Sequence, residues 1–380
     1  MAPNRRGGPL TRSSSGNTPT KRTKATPKAS ETSSAVHDND LSVISKKEIE
    51  DRGAGTDEDT DTYVDLPFLR GEKRVFFTAV IFLTRLNVPR WAEADHHPAY
   101  LMRSMMHFPF LGLCVGIWAA VWLEAAAVLW TPFVAAAAST LAGVWITGAF
   151  HEDGLADSLD AFGGGWGRLQ ILRIMTDTRV GTYALVGMIL VMGMKLKSLE
   201  VLQSLSQSDI TISTFLPSLS LSPASVALLV AHTVSRWTVL PLIYSCHYIQ
   251  DEQSAKRGLY NWFADSQRLL TLPRLCLGTL VTILVPVLLL PVEQAMSVFL
   301  VVVLVTLGAS YYGNLIIGGV IGDFLGATIQ VCELCVYLLL SADLKQTQTN
   351  PFPLVMLAAT AVLPILTSRP LIDFGFRAEC

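Results

Sequence analysis

FVAAAASTLAGVWITGAF (133–150) runs without a break into HEDGLADSLDAFGGGWGR (151–168). The first stretch has no charged side chain and approaches the roughly 20 apolar residues that a helix needs to cross a bilayer. The second places His151, Glu152, Asp153, Asp157 and Asp160 directly at its end. A helix of this kind is predicted to leave the membrane where the acids begin.

The rest of the chain supports that reading. Of 380 residues, 51% are hydrophobic and 16% charged, a balance belonging to membrane proteins rather than to soluble globular ones. The formal net charge of −2 argues against a nucleic-acid partner, whose binding would require many phosphate-neutralising Lys and Arg. The six cysteines fall mostly in apolar segments. Cys332 and Cys335 form a CxxC inside a predicted helix, read as packing because no second pair or nearby His completes a soft-metal site.

Residues 1–65 are rich in Ser, Thr, Lys, Asp and Glu and are predicted to be a disordered polar tail, since they cannot bury enough apolar surface to order themselves. They show no apolar core of the secretory-signal kind near Met1, and their basic, Ser/Thr-rich start leaves an organelle transit peptide open. Residues 66–380 are predicted to form one membrane-embedded domain. Spans are expected near 108–130, 133–150, 182–200, 224–245, 275–291, 294–312, 324–341 and 352–368. The shorter segment 75–89 contains Arg85 and reads as an interfacial or re-entrant helix. The fold class is therefore all-α: a polytopic transmembrane bundle of about seven to nine segments. Basic residues at 70–74, 90–103, 168–179, 256–274 and 369–377 all fall on one side when the spans alternate, which puts the acids on the cytoplasmic side or its equivalent.

Asp153, Asp157 and Asp160 stand at i, i+4 and i+7, one face of a helix. Like charges held so close need a cation or proton between them. An all-oxygen donor set suits Mg²⁺, which takes one or two carboxylates together with substrate phosphates. Gly163, Gly164 and Gly165 would let backbone amides approach a phosphate. Arg168, Arg173, Asp177 and Arg179 form a rim beyond them, and arginine forks suit phosphate. The simpler readings are a solvated helix start and arginines that only obey the orientation rule. Ionisable residues inside spans are functional candidates by default, which singles out Arg236, Asp323, Glu333, Lys195 and Lys197. Snorkelling is the expected explanation for the two lysines, and packing or hydrogen bonding for His232.

FLTRLNVP (82–89), FPFLGLCVG (108–116), GAFHEDGLADSLDAFGGG (148–165), RIMTDTRVGTY (173–183), SRW (235–237) and GGVIGDFLGA (318–327) together resemble the cobalamin synthase family of adenosylcobinamide-GDP ribazoletransferases. The resemblance runs in order over residues 75–340. It implies a multi-pass enzyme that joins adenosylcobinamide-GDP to the 5′-hydroxyl of α-ribazole, or to α-ribazole 5′-phosphate, releasing GMP with Mg²⁺ as cofactor. Carried onto this chain, Asp153, Asp157, Asp160 and Asp323 would hold the metal, and His151 or Glu152 would be the base. Arg179 and Arg236 would steady phosphate charge, and Gly163, Gly164, Gly165, Asp177 and Arg85 would meet substrate. It further implies an inner or plasma membrane, an organelle membrane being open given the tail, and leaves room for a homo-oligomer. Asn87, Thr176, Ala184 and Ile321 depart from the expected proline, lysine, glycine and threonine. The alternatives are a CDP-alcohol phosphotransferase, whose pattern has an arginine where Asp157 stands, and an ion-coupled transporter, which would put acids deep in several spans.

Overall fold

Helix α8 (Pro223–Trp237) is buried on every side: each residue from Pro223 to Arg236 is buried. A helix apolar all round is one that other helices surround, and α3 (Phe108–Ala127), α7 (Thr182–Ser204), α10 (Leu272–Leu289) and α12 (Gly322–Ser341) pack around it. The structure, a computed structural model, describes residues 68–92, 94, 98–205, 221–249 and 269–342. The expected tail over 1–65 and the expected span at 352–368 lie outside the described residues.

The remaining helices are α1 (Phe68–Leu83), α2 (Pro98–Ser104), α4 (Pro132–Thr147), α5 (Phe150–Gly164), α6 (Arg168–Met175), α9 (Val239–Ser245) and α11 (Val292–Ile316). Among the described residues the only β pairing is an isolated parallel bridge between Tyr248 and Val320. The expected segments at 108–130, 133–150, 182–200, 224–245, 275–291, 294–312 and 324–341 all correspond to helices. Among the described residues five stretches are long and apolar enough to cross a membrane: Ala99–Ala127, Pro223–Ser245, Leu272–Leu289, Val292–Ile316 and Gly322–Ser341. The bent pair α4 and α5 adds a sixth when counted as one span. Helix α7 is not among these; it is 23 residues long but carries Lys195, Lys197 and Glu200 in its second half.

Large apolar side chains cover the outside of the bundle. Trp118, Trp122, Leu141, Trp145, Ile189, Leu190, Leu280, Leu300, Leu304 and Leu307 are all exposed. A surface of this kind belongs in lipid, and the chain is a membrane protein.

Lipid is as apolar as a Leu side chain, so helices in a bilayer associate through close packing and internal hydrogen bonds rather than by leaving water. The pairing of α3 with α8 shows both. A Cβ on Gly112 would lie 2.1 Å from the His232 carbonyl oxygen, and one on Gly116 would lie 2.8 Å from that of Leu228. The GxxxG spacing thus lets two backbones touch. At the far end of α3, Glu124 Oε1 accepts from the Ser225 hydroxyl (2.5 Å) and the Ser222 amide (3.2 Å), and Ser222 Oγ caps α8 by accepting from Ser225 N.

At the opposite end of the bundle the chain reverses sharply. Gly148 (φ 67°) and Ala149 (φ 59°) are both left-handed, and α5 leaves the direction of α4 by 92°. Glycine adopts this conformation freely, whereas Ala149 does so at a cost of about 1–2 kcal/mol. Helix α5 therefore does not prolong α4 through the membrane. Arg85 N donates to the Ile146 carbonyl (2.8 Å) just before the turn, and the Arg85 side chain lies over Gly148.

Candidate functional site

Helix α5 presents Asp153, Asp157 and Asp160 on one face and crosses the first turn of α12 at Gly154. A Cβ at Gly154 would stand 2.7 Å from the Asp323 carbonyl oxygen, so glycine is required for this approach. The loop before α12 is held by equally close contacts. Val320 N donates to His247 O and Ile249 N to Val320 O, both at 2.8 Å, and a Cβ on Gly319 would meet His247 O at 2.1 Å. The sequence GGVIGD is thus a clamp that sets Asp323 beside the acids of α5.

The effect on charge is direct. Burial, followed by the charges of Asp323, Asp153 and Asp160, pushes the Asp157 carboxyl up to about 7. Neither Asp153 nor Asp157 has a side-chain hydrogen bond or ion pair among the described residues. Asp160 differs. Its Oδ2 accepts from Gly181 N (2.5 Å) and its Oδ1 from Ala184 N (2.9 Å), so it satisfies the free amides at the start of α7 and places a negative charge at that helix terminus. Gly181 leaves room for the carboxylate, which a Cβ there would meet at 2.6 Å. Among the described residues no three His, Cys, Asp or Glu side chains stand close enough to enclose a metal ion by themselves.

The glycines after the acids serve packing first. A Cβ on Gly163 would strike the Tyr183 ring at 2.4 Å, and one on Gly165 would meet Ile171 at 2.4 Å and Ala161 O at 2.7 Å. Gly164 alone of the three has room, its nearest neighbour being Ile174 at 3.7 Å. Of the rim, Arg179 forks onto Asp177 (Nη2 to Oδ2 2.6 Å, Nε to Oδ1 3.0 Å) and is largely exposed. Hydrogen bonds from Arg179 hold the Asp177 carboxyl well below the usual range. Arg168 lies against Gly318, next to the clamp. Asp177, Arg179, Arg85 and Arg168 thus lie around the end of the bundle that carries the acids.

His151, Glu152 and Arg236 lie elsewhere, turned into the bundle. His151 is 1% exposed, and among the described residues neither ring nitrogen has a hydrogen-bond partner. Glu152 Oε1 accepts from Gln330 Nε2 at 2.9 Å, and its Oε2 is also buried. Arg236 is 1% exposed and donates to Glu333 Oε1 at 2.8 Å, beside His232. Lys195 corrects an expectation: it does not snorkel but is 4% exposed and donates to Glu333 Oε2 at 2.8 Å. A cation desolvated this far persists because a carboxylate faces it. The sequence flags Lys195 and Glu333 as charges within spans. Nothing in it reveals that they meet, or that Gln330 joins them to Glu152.

The acidic face, its clamp and the Asp160 cap use the HEDGLADSLD, VGTY and GGVIGD segments at once, and this combination directs comparison with known proteins. The sequence pattern of the cobalamin-5-phosphate synthase family matches residues 75–341. The chain belongs to that family. Among curated relatives, an adenosylcobinamide-GDP ribazoletransferase of Shewanella piezotolerans is 32% identical over 271 residues, 71% of this chain and 96% of the relative. Proteins of the same name from Shewanella sp. (strain W3-18-1) and Shewanella woodyi are each 34% identical, over 269 and 273 residues. These cover 70% and 72% of this chain and 93% and 97% of the relatives. No solved structure matches the chain.

The match to the cobalamin-5-phosphate synthase family starts within α1 and ends with the last residue of α12, so every element that positions the acids lies inside it. Two of the departures from the family's pattern have a visible setting. Ala184 meets Asp160 through its backbone amide, a contact indifferent to the side chain. Ile321 stands at the start of α12 with no side-chain cap and is 2% exposed, its side chain spent on the core rather than on the helix end.

Proposed function

We propose that this protein transfers the cobinamide-phosphate moiety of adenosylcobinamide-GDP to a ribose hydroxyl of α-ribazole or of α-ribazole 5′-phosphate, at the last stage of cobalamin biosynthesis. Family membership and the relatives' shared name support the reaction. The observation in the structure that carries it is the juxtaposition of Asp153, Asp157 and Asp323, with the first two unpaired among the described residues. Such a face suits a cation-bridged diphosphate.

In the reaction the acceptor oxygen forms a bond to the phosphorus on the cobinamide side. The bridging P–O bond breaks, GMP leaves with the electron pair, and the hydroxyl proton is released. Catalysis of this kind depends on alignment and on neutralising the charge spread over phosphate oxygens.

Mg²⁺ fits the donors in type, all of them hard carboxylate oxygens. The absence of three converging ligands among the described residues suits an ion that keeps much of its water and shares substrate phosphates. Asp153 and Asp157 would hold it, with Asp323 close by; when bound, it would neutralise diphosphate charge. Asp160 braces the face by tying α5 to α7. Arg179, which can exchange Asp177 for phosphate at the surface, and Arg85 at the bend are the candidate phosphate contacts. The inward direction of Glu152 and His151 argues against either as a base in this conformation. We place the active face on the cytoplasmic side, on the strength of the basic loops that share its end of the bundle.

GMP release by the purified protein, given both substrates and Mg²⁺, tests the reading. Turnover of a CDP-alcohol instead would replace it.

A further inference from the structure

Glu152 and Asp153 are adjacent on α5 yet point to different worlds, one into the bundle and one to the acidic face. The inward one ends a chain of contacts: His232 Nδ1 and Arg236 Nη1 both stand 2.8 Å from Glu333 Oε1, and Lys195 Nζ stands 2.8 Å from Glu333 Oε2. Lys195 also donates to Gln330 Oε1, and Gln330 Nε2 donates to Glu152 Oε1 at 2.9 Å. Gln330, Glu333, Arg236 and Lys195 are 1%, 2%, 1% and 4% exposed, and together with Glu152 and His232 they line a single small cavity.

Gln330 is the hinge of this chain. A side-chain amide accepts from an ammonium and donates to a carboxylate without adding charge, and the Gln330 side chain is long enough to reach both Lys195 and Glu152. Glu333 and Gln330 are fixed to each other by one turn of α12, and Lys195 and Arg236 fix that turn to α7 and α8. The contact at Glu152 therefore bears on the rotation of α5 about its own axis, together with the Gly154 crossing and the Asp160 cap. Neighbouring residues on a helix differ by about 100° in direction, so setting Glu152 inward also sets where Asp153 and Asp157 point.

We propose that Gln330 is a positioning residue: by holding Glu152 against the buried Lys195–Glu333–Arg236 cluster it aims the aspartates of α5 at Asp323. This rests on the acidic face being a divalent-cation and diphosphate site. Charged chains of this depth are costly and survive where they fix geometry.

The test uses full-length protein in detergent and two variants. Gln330→Met keeps the volume and removes both hydrogen bonds. Gln330→Glu keeps an acceptor for Lys195 but faces Glu152 with a second carboxylate, and guards against a variant that simply fails to fold. Mn²⁺ binding is measured by electron paramagnetic resonance with adenosylcobinamide-GDP present and no acceptor, so that no turnover occurs. Both variants are expected to weaken Mn²⁺ binding at least tenfold. In turnover they should raise the Mg²⁺ concentration for half-activation at least tenfold, while the KM for α-ribazole stays within about twofold. Combining Gln330→Met with Glu152→Leu should cost no more than either change alone, since both break one contact. Wild-type Mn²⁺ affinity in folded variants, or costs that multiply, overturns the positioning role alone. A wild-type protein that binds no Mn²⁺ and releases no GMP overturns the acidic-face reading and this inference with it.

Discussion

At the scale of single residues, two kinds of buried or crowded charge do different work. Among the described residues Asp153 and Asp157 have no side-chain partner, and the crowding of acids around Asp157 pushes its carboxyl up. Glu333 is over-supplied, with Lys195, Arg236 and His232 all upon it. Glu333→Gln leaves two buried cations facing a neutral amide, and removing one partner of a buried pair costs about 3–5 kcal/mol. Thermal unfolding in detergent should show a drop of that order, and an unchanged melting temperature would mean that the cluster is solvated. The acids of HEDGLADSLD were legible from spacing alone, because i, i+4 and i+7 give a face without any tertiary information. The cap made by Asp160 on Gly181 was not, since it joins residues 21 apart in a bundle whose packing the spacing does not encode. Nor was the direction of Arg236, which the charge-in-a-span rule marks as special without saying whether it meets substrate or Glu333.

At the scale of elements, glycine decides which helices can touch. Gly154→Val must push the first turn of α12 away from α5, because its Cβ would fall on the Asp323 backbone. The expected outcome is a fall in GMP release of at least a hundredfold with the protein still extractable as a folded monodisperse species. Retained activity would mean that Asp323 need not lie against α5. Gly112→Val should be worse for folding than for chemistry, since it separates α3 from the central helix α8, and lost yield of folded protein measures this. Seven of the eight expected spans correspond to helices at nearly the expected ends, because long apolar runs and their polar breaks are local signals. The 92° turn at Gly148 and Ala149 was foreshadowed only by the change from apolar to acidic residues. Ala149 gives no sign in sequence that it adopts a left-handed backbone.

At the scale of the whole molecule, Arg85, Arg168 and Arg274 share one end of the bundle. Arg274 pairs with Glu72 (2.6 Å), Arg168 lies on Gly318, and Arg85 covers the α4–α5 bend, while Glu124 and Ser225 meet at the other end. The charge pattern anticipates an alternation in which the basic loops share one side of the membrane. In a background lacking native cysteines, single cysteines at 168 and 179 should react with an impermeant thiol reagent from one side of sealed vesicles, and one at 129 from the other. Labelling of all three from one side would break the alternation. The matched region, residues 75–341, contains the entire acidic face and its braces, so the polar residues before it should be dispensable for chemistry. A protein beginning at residue 66 is expected to keep GMP release within about twofold of the full chain.

The central claim is that the aspartates of α5 hold a divalent cation against a diphosphate. It is tested most directly by GMP release from adenosylcobinamide-GDP with α-ribazole, by wild type and Asp153→Asn in parallel across a Mg²⁺ titration. Release by the wild type is expected to be abolished by chelation and restored by Mg²⁺, with release by Asp153→Asn at least a hundredfold slower. Release that survives chelation, or an Asp153→Asn protein as fast as wild type at every Mg²⁺ concentration, would contradict the claim.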